Sequence, residues 1–355
     1  MKKILNIILI FISAGWVYSA EITREKIFGS ITDDDLLMRT YPHQERGMII
    51  ARLNRGDIVE ILSRTLNKYS IDGTSSFWYK VKTYTGKIGW CFGKWIQLRA
   101  ERYNPLSGFF MEINNGNYEG VKKLLPKINN INAVDNNGRT PLMIAVFRDQ
   151  GAIVKILLEN GAQVNFQDNK GETALMYSVL INNEDIARLL IKKGANVHLY
   201  SRLGSTALTL AAYYNRLGMI KLLVAQGAKI NVKMKDGSTP LIKAAYRGND
   251  RVCDLLLSQG ANINDTDNNG RNALMVAIGA KKMTVSKLLI EKNAAINRAD
   301  KNGNTALIWA VYHNQKEIIS LLISKGVNKN HRNRFNQTAR DIAVKLRMND
   351  LLQIL

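Results

Sequence analysis

Histidine and cysteine, which often supply nucleophiles, general bases and metal ligands, are scarce in this chain. The six such residues are His43, His198, His313, His331, Cys91 and Cys253. No histidine pairs with a nucleophile motif, and the cysteines fit small buried apolar positions rather than a zinc-ligand spacing. The acidic run Asp33–Asp35 could attract a cation, but such a run is more typical of a solvated turn. With no glycine-rich phosphate motif either, the sequence predicts a protein without enzyme activity, catalytic residues, metal or cofactor.

The chain carries a large excess of positive charge. It has 50 Lys and Arg against 29 Asp and Glu, a formal net charge of +21 at pH 7. A basic surface favours anionic partners, such as nucleic acid, lipid headgroups, anionic wall polymers or acidic proteins. The cations form no extended run, however, which also fits charge spread over solvated faces, and we expect no nucleic-acid partner. The hydrophobic content of 46% indicates a globular chain, and its length fits two domains.

Residues 1–20 have the three parts of a secretory signal peptide. Lys2 and Lys3 form a cationic start, an apolar run extends from Ile4 to Ile12, and small residues surround a cleavage site near Ala20. An uncleaved membrane anchor is the alternative, although the apolar run is short for a spanning helix. The sequence therefore predicts an exported protein, periplasmic or secreted, without a transmembrane segment after cleavage. An N-terminal extension over 21–30 follows the leader.

A fixed interval of 33 residues organises most of the chain. Loop glycines recur at this interval as Gly138, Gly171, Gly204, Gly237, Gly270 and Gly303. Leucine keeps one register from Leu142 to Leu307, and an apolar triplet such as Leu222–Val224 returns in each repeat. Such a period is typical of stacked repeats, in which each unit buries apolar surface against its neighbours.

Each repeat also carries signals for the start and end of helices. Thr140 is a favourable N-cap, Pro141 is a favourable first-turn residue, and Gly161 can end a second helix in the left-handed conformation. Where the pattern changes, Asn272 replaces the capping threonine and Asn293 replaces the terminal glycine. Asparagine meets both backbone requirements, so the repeat is structural. Asn336 replaces the loop glycine in the last unit in the same way.

The unit DNNGRTPLMIAVFRDQGAIVKILLENGAQVNFQ, residues 135–167, resembles the ankyrin repeat of two antiparallel helices and a loop. Five similar units follow to residue 332, a degenerate unit covers 105–134 and a truncated capping unit covers 333–355. The resemblance implies an all-α ankyrin solenoid over 105–355, after a linker at 99–104. One family feature is missing, because Met143 and its counterparts replace the histidine of the TPLH motif, which bonds to the capping threonine.

Residues 31–98 have a β-rich pattern instead. Apolar runs separated by turn signals predict a small antiparallel β-barrel with hairpins at Asn54–Gly56 and Thr85–Lys87. The stretches LLMRTYP, ARLNRGDIVEIL, WYKVKT and GKIGWCFGKWI resemble bacterial Src-homology-3-like domains, which implies a module that binds peptides or wall crosslinks, or a spacer. Trp78, Trp90 and Trp95 are candidates for a peptide-binding patch, and the alternative is that they close the barrel core.

In ankyrin repeats, the loop tips and the exposed side of the first helix line a concave groove. The resemblance places two adjacent residues of each repeat there. We call this set the groove row: Phe147, Arg148, Leu180, Ile181, Tyr213, Tyr214, Tyr246, Arg247, Gly279, Ala280, Tyr312 and His313. The flanking loop residues are Arg139, Arg271, Lys235 and Lys301. Aromatic and arginine side chains are typical of interface hot spots, although the aromatics could also serve only to cover neighbouring apolar atoms.

Two functions remain after this reading of the sequence. The first is an exported, non-enzymatic scaffold whose ankyrin groove binds a protein partner. The second is an envelope-attachment module, in which the β-barrel and the basic surface bind peptidoglycan or another anionic envelope polymer.

Overall fold

The computed structural model describes residues 105–355 in full, nine β-strands between residues 27 and 99 as backbone, and the side chains of residues 80–82. Several predicted features lie outside the described residues, namely the leader 1–20, Asp33–Asp35, His43, the turns Asn54–Gly56 and Thr85–Lys87, Trp95, and linker residues 100–104. The chain divides into two compact units, Met1–Asn130 and Ile131–Leu355. The helix pair of the predicted degenerate repeat thus belongs to the first unit, and the six full repeats belong to the second.

The first unit contains an antiparallel sheet. Its strands are β1 (Ile27–Ile31), β2 (Leu36–Arg39), β3 (Ile49–Leu53), β4 (Ile58–Arg64), β5 (Tyr69–Ile71), β6 (Thr74–Ser76), β7 (Trp78–Lys82), β8 (Ile88–Phe92) and β9 (Ile96–Arg99). Seven strands form one sheet in the order β3-β2-β8-β7-β4-β1-β9, and β5 pairs with β6. β7 and β8 are antiparallel neighbours, as the predicted hairpin between them requires. Closure of this sheet into a barrel stays a prediction.

Two details of the β-rich region differ from the sequence-based expectation. β1 lies mostly within the predicted N-terminal extension, yet it pairs with both β4 and β9. The predicted hairpin at Asn54–Gly56 is wrong, because β3 pairs with β2 whereas β4 pairs with β1 and β7. Turn residues mark the end of a strand, but its neighbour is chosen by long-range register and side-chain pattern.

The helices form a regular series. α1 (Pro105–Asn114) and α2 (Tyr118–Leu124) belong to the first unit. The second unit holds α3 (Pro141–Phe147), α4 (Gly151–Glu159), α5 (Ala174–Ile181), α6 (Glu184–Lys192), α7 (Ala207–Tyr213), α8 (Leu217–Ala225), α9 (Pro240–Arg247), α10 (Asp250–Ser258), α11 (Ala273–Gly279), α12 (Met283–Glu291), α13 (Ala306–Tyr312), α14 (Lys316–Ser324) and α15 (Ala339–Lys345). Among the described helices, none has the length and apolar character needed to cross a membrane.

Helix boundaries follow the predicted capping residues. Thr140 Oγ1 accepts a hydrogen bond from the backbone N–H of Met143 at 3.3 Å, and Asn272 Oδ1 accepts one from Met275 at 3.0 Å. The caps therefore form without the histidine of the ankyrin motif. Gly161 and its substitute Asn293 both adopt positive φ angles, of 85° and 62°, as a left-handed helix end requires.

The core lies between neighbouring repeats. First helices pack against first helices, and second helices against second helices, of the adjacent repeat. The middle leucine of each second-helix triplet is fully buried: Leu157, Leu190, Leu223, Leu256, Leu289 and Leu322. The outer members of the triplets are mostly half-buried. One leucine per repeat therefore holds the centre of each interface, and its neighbours complete it.

Candidate functional site

The groove row lies at the C-terminal ends of the first helices. Phe147, Tyr213, Gly279 and Tyr312 are the last residues of α3, α7, α11 and α13, and in each case the next residue caps the helix. In α5 and α9 both members of the row belong to the last turn. Stacking of the first helices thus brings these twelve residues into one continuous series along the second unit.

Exposure differs along the groove row. Its exposed members are Phe147, Arg148, Tyr214, Tyr246, Arg247 and Tyr312, and Tyr246 has 51% of its surface accessible. Leu180, Ile181, Tyr213, Gly279, Ala280 and His313 are half-buried. Large aromatic side chains that stay this exposed on a helix end are available to a partner.

The aromatic residues at the centre of the row hold one another in place. The rings of Tyr213 and Tyr214 meet edge to face with centroids 5.0 Å apart. From the following repeat, the Arg247 guanidinium lies over the Tyr213 ring, 4.8 Å from its centroid, at cation–π distance. Arg247 is exposed and makes no ion pair with any described residue. The centre of the row therefore presents a cation beside partly exposed rings.

Three side chains beside the groove row were not among the residues predicted from the sequence. Tyr177, Lys243 and Trp309 precede the first groove-row residue of their repeats by three positions, which is the spacing of neighbours on one helix face. The Tyr177 ring meets that of Phe147 from the preceding repeat at 5.7 Å, edge to face. Trp309 stacks on His313 at 5.7 Å. Helical spacing counted back from the groove row would have found all three.

The carboxylates of Asp168 and Asp300 have all their oxygens hydrogen-bonded within the protein. Asp168 accepts the backbone N–H groups of Lys170 and Glu172, both at 2.8 Å, and its second oxygen accepts the Tyr177 hydroxyl at 2.6 Å. Asp300 does the same with two backbone N–H groups and with Trp309 Nε1 at 3.0 Å. These bonds link the loop to the first helix of the same repeat and fix the edge of the groove.

Arg139 and Arg271 each form an ion pair with the aspartate of their own loop. The guanidinium of Arg139 pairs with Asp135 at 2.7 Å, and that of Arg271 pairs with Asp267 at the same distance. Both arginines are half-buried. The charges of these two arginines are therefore neutralised within their own loops. Arg148 and Arg247, by contrast, form no ion pair with a described residue.

Several ionisable groups in the groove have shifted pKa values. Burial raises the pKa of Tyr177, and its bond to Asp168 raises it further, so the hydroxyl stays a donor. Burial also raises the pKa of Glu172, and the nearby charge of Asp168 adds to the effect. For His313, burial lowers the pKa and repulsion from Lys281 lowers it further, which favours the neutral ring. The pKa shifts of Tyr177 and Glu172 thus arise from burial and from the charge of Asp168, and that of His313 from burial and from Lys281.

The pKa of Asp236 is lowered rather than raised, because Lys243 donates a hydrogen bond to its carboxylate. Partial burial acts to raise its pKa, but hydrogen bonds from Lys243 and from the backbone of Ser238 outweigh burial and lower the pKa. The Lys243 ammonium lies 2.7 Å from the second carboxylate oxygen. The loop carboxylate of this repeat is thus also neutralised internally.

The loop tips form a ladder along one side of the second unit. The backbone N–H of Arg202 donates to the carbonyl of Lys170 at 2.7 Å, and that of Lys235 donates to Leu203 at 3.2 Å. Gly204 makes this approach feasible, because a Cβ there would lie 2.8 Å from the Lys235 nitrogen. Its φ of +78° also favours glycine.

The tips themselves are cationic and partly apolar. Arg202, Lys235 and Lys301 are exposed, and none forms an ion pair within the part of the chain that the structure describes. Leu203 lies between the first two with 70% of its surface accessible. The two predicted flanking lysines are therefore free to contact a partner, and Arg202 and Leu203 join them.

The predicted tryptophan patch of the β-rich region is described only as backbone. Trp78 pairs with Phe92 across β7 and β8, and Trp90 pairs with Lys80. Trp95 lies outside the described residues. The three tryptophans therefore stay a prediction as a peptide-binding patch.

No metal-binding cluster of histidine, cysteine and carboxylate occurs among the described residues. Cys253 is fully buried, and burial raises the pKa of its thiol to about 12, with Asp250 adding to the shift. A buried, protonated thiol is a poor nucleophile, and Cys253 fills the small apolar position expected for it.

Family models match both parts of the chain. A model for ankyrin repeats in three copies matches residues 109–201, 196–267 and 241–333, and a model for the bacterial SH3 domain matches residues 35–97. The ankyrin matches together span residues 109–333, more than half of the 355 residues. A comparison with curated proteins finds no match. The chain therefore belongs to the ankyrin repeat family and carries an N-terminal bacterial SH3 domain.

Proposed function

We propose that this protein is an exported, non-enzymatic scaffold that binds a protein partner through the groove row of its ankyrin repeats. The observation that carries the proposal is the central cluster of Tyr213, Tyr214, Tyr246 and Arg247, which presents exposed aromatic surface and an unpaired cation side by side. Tyrosine and arginine dominate interface hot spots because they combine large contact area with hydrogen-bonding ends.

Preorganisation supports this assignment. Side chains that are already ordered lose less conformational entropy on binding, so more of the contact energy appears as affinity. The Tyr213 ring contacts the Tyr214 ring edge to face, and the Arg247 guanidinium lies over it. Tyr213 and its two neighbours therefore already contact one another in the unbound protein.

The alternative, in which the aromatics only cover neighbouring apolar atoms, fits some residues better than others. Phe147 has the Tyr177 ring as a neighbour, and Tyr213 is half-buried. Tyr246, by contrast, is half exposed and has no aromatic partner among the described residues. We expect Tyr213 and Tyr246 to contribute most of the binding energy.

The test compares capture of partners from envelope extract by three forms of the full chain. Tyr213→Ala with Tyr246→Ala should weaken binding of a captured protein by more than about 2 kcal/mol, while the melting temperature stays nearly unchanged. Tyr118→Ala removes an exposed tyrosine outside the groove row and should leave the affinity unaltered. Equal affinity of the double variant and the unchanged chain would move the site off the groove.

One observation favours a second function, attachment to the cell envelope. The match to the bacterial SH3 domain over residues 35–97 supports a module that binds peptidoglycan or an anionic envelope polymer, with Trp78, Trp90 and Trp95 as candidate contacts. The leader over residues 1–20 supports export to the periplasm or outside the cell. Sedimentation with purified cell wall separates the two functions. Wall binding that survives in the Tyr213→Ala, Tyr246→Ala variant would show that attachment does not use the central tyrosines of the groove row.

A further inference from the structure

We infer that the partner of the groove is an acidic polypeptide segment with apolar side chains between its carboxylates, and that it binds across the loop tips and first helices of the third and fourth full repeats, residues 201–266. The inference rests on the proposed function and names the chemistry of the partner. The inference depends on which charges of the groove row and the neighbouring loops are already neutralised within the protein.

Five aspartates that lie within three residues before a loop glycine are already bonded within the protein. Each of them has one oxygen bonded to one or two backbone N–H groups and the other bonded to a side chain of its own repeat. The donors are Arg139 for Asp135, Tyr177 for Asp168, Lys243 for Asp236, Arg271 for Asp267 and Trp309 for Asp300. A cationic partner would have to break these bonds to gain an ion pair.

Four cations of the groove row and the loop tips, by contrast, form no ion pair within the described residues. Arg148, Arg202, Lys235 and Arg247 are all exposed, and none forms an ion pair with a described residue. Exposed cations without an ion pair attract an anion without first breaking one, which raises the rate of association and excludes cationic competitors. The groove side therefore selects for negative charge.

The third repeat is the point where this imbalance is greatest. Between Asp185 and Asp236 the chain has no Asp or Glu. The nine cations in this interval are Arg188, Lys192, Lys193, Arg202, Arg216, Lys221, Lys229, Lys233 and Lys235. Ser201 occupies the loop position that holds an aspartate in the repeats before it and in the fifth and sixth repeats, and its hydroxyl accepts only the N–H of Ser205. Among the six full repeats, the loop of this repeat is thus the one without a neutralising carboxylate between residues 201 and 205.

Apolar surface distinguishes a polypeptide from a simple polyanion. Leu203 is 70% exposed between Arg202 and the Lys235 backbone, and Tyr246 is half exposed in the next repeat. A polymer with a charge on every unit would leave these side chains uncovered or place charge against them. A polypeptide that alternates carboxylates with apolar side chains covers both kinds of surface, which is the arrangement of a standard interface with a hydrophobic centre and a polar rim.

The test measures binding of fluorescent peptides to the full chain by anisotropy. The probe is a peptide in which glutamates alternate with leucine and serine, and its controls are the same peptide with glutamine for glutamate, polyglutamate, and phosphatidylglycerol vesicles. We expect the acidic, apolar probe to bind at least about tenfold more tightly than the glutamine peptide or polyglutamate. Its affinity should fall as salt is added, since exposed charges are screened.

Two matched double variants locate the interaction. Arg202→Glu with Lys235→Glu should weaken the probe by about tenfold or more. Lys155→Glu with Lys221→Glu makes similar charge changes at exposed positions of the second helices α4 and α8 and should alter affinity less than about twofold. If the glutamate variant at the tips does not fold by circular dichroism, Arg202→Gln with Lys235→Gln replaces it.

The outcomes are decisive in either direction. Equal binding of polyglutamate or of the vesicles would overturn the inference in favour of a polyanion or a lipid surface. Equal loss in the two double variants would reduce the effect to net charge alone, which also overturns it. If the probe fails but Tyr213→Ala with Tyr246→Ala still abolishes capture of a partner, the proposed function stands and only the acidic character of the partner is wrong.

Discussion

The interior of the ankyrin stack and its groove row come from the same repeats, but residue type is constant in the interior and varies along the groove row. In the interior, leucine occupies the middle of every second-helix triplet and is fully buried each time, from Leu157 to Leu322. In the groove row, the first position is successively phenylalanine, leucine, tyrosine, tyrosine, glycine and tyrosine. The same period of 33 residues thus generates one set of identical environments and one set of different ones.

The difference separates positions that the fold requires from positions whose side chains can vary. A position buried between two repeats must fill a space whose size the repeat geometry fixes, so close packing leaves little choice of side chain. A position on the groove touches the neighbouring repeat on one side and solvent on the other. Its side chain can therefore vary without loss of the fold, and the variation along the row is available for partner choice.

The largest effect is expected for a change in the interior. Leu223→Ala should cost about 2–5 kcal/mol of stability, because it removes buried contacts and leaves a cavity between repeats. Leu203→Ala is the matched control in the same repeat, since that leucine is exposed and its loss should stay within about 0.5 kcal/mol. Chemical denaturation with limited proteolysis measures both. Equal stability of the two variants would contradict the contrast between interior and surface.

A smaller effect should separate two glycines that share a left-handed backbone. Gly227→Ala meets no neighbouring atom, so its cost should be the conformational one of about 1–2 kcal/mol. Gly204→Ala has a similar φ but its Cβ would approach the backbone nitrogen of Lys235 at 2.8 Å, which should add about 1–3 kcal/mol. Thermal unfolding of the pair checks this difference. Equal losses of stability in the two variants would show that the backbone at Lys235 can move to accommodate a methyl group at residue 204.

The smallest effect concerns the groove side and depends on pH. The pKa of Asp236 is lowered below its ordinary value of 3.8, so its ion pair with Lys243 stabilises the fold above that pH and is lost as the pH falls through the lowered value. Lys243→Met should therefore cost about 0.2–1 kcal/mol near neutral pH and nothing in strong acid, where the carboxyl is neutral in both proteins. Melting curves over the acid range measure it. A constant difference at every pH would assign the loss to packing of the lysine stem.

Sequence reasoning succeeded wherever a local rule sufficed. The positive φ of Gly161 and Asn293, the N-cap of Asn272 and the burial of Cys253 follow from the residue type and its place in the repeat. It failed at the Asn54–Gly56 hairpin, where β3 and β4 each pair with other strands. Turn residues restrict a few backbone angles, but strand pairing depends on contacts between distant parts of the chain.

The amino-acid sequence by itself determined the ankyrin architecture, because periodic glycines, caps and leucines each state a backbone or packing requirement that a single repeat already contains. Only the tertiary structure decided what the groove offers. It assigns Arg139 and Arg271 to their own loop aspartates, leaves Arg148 and Arg247 without ion partners, and brings Arg247 over Tyr213 from the next repeat. The availability of a charge depends on which neighbours reach it, and side-chain reach across stacked helices is fixed by their packing in space rather than by their order in the chain.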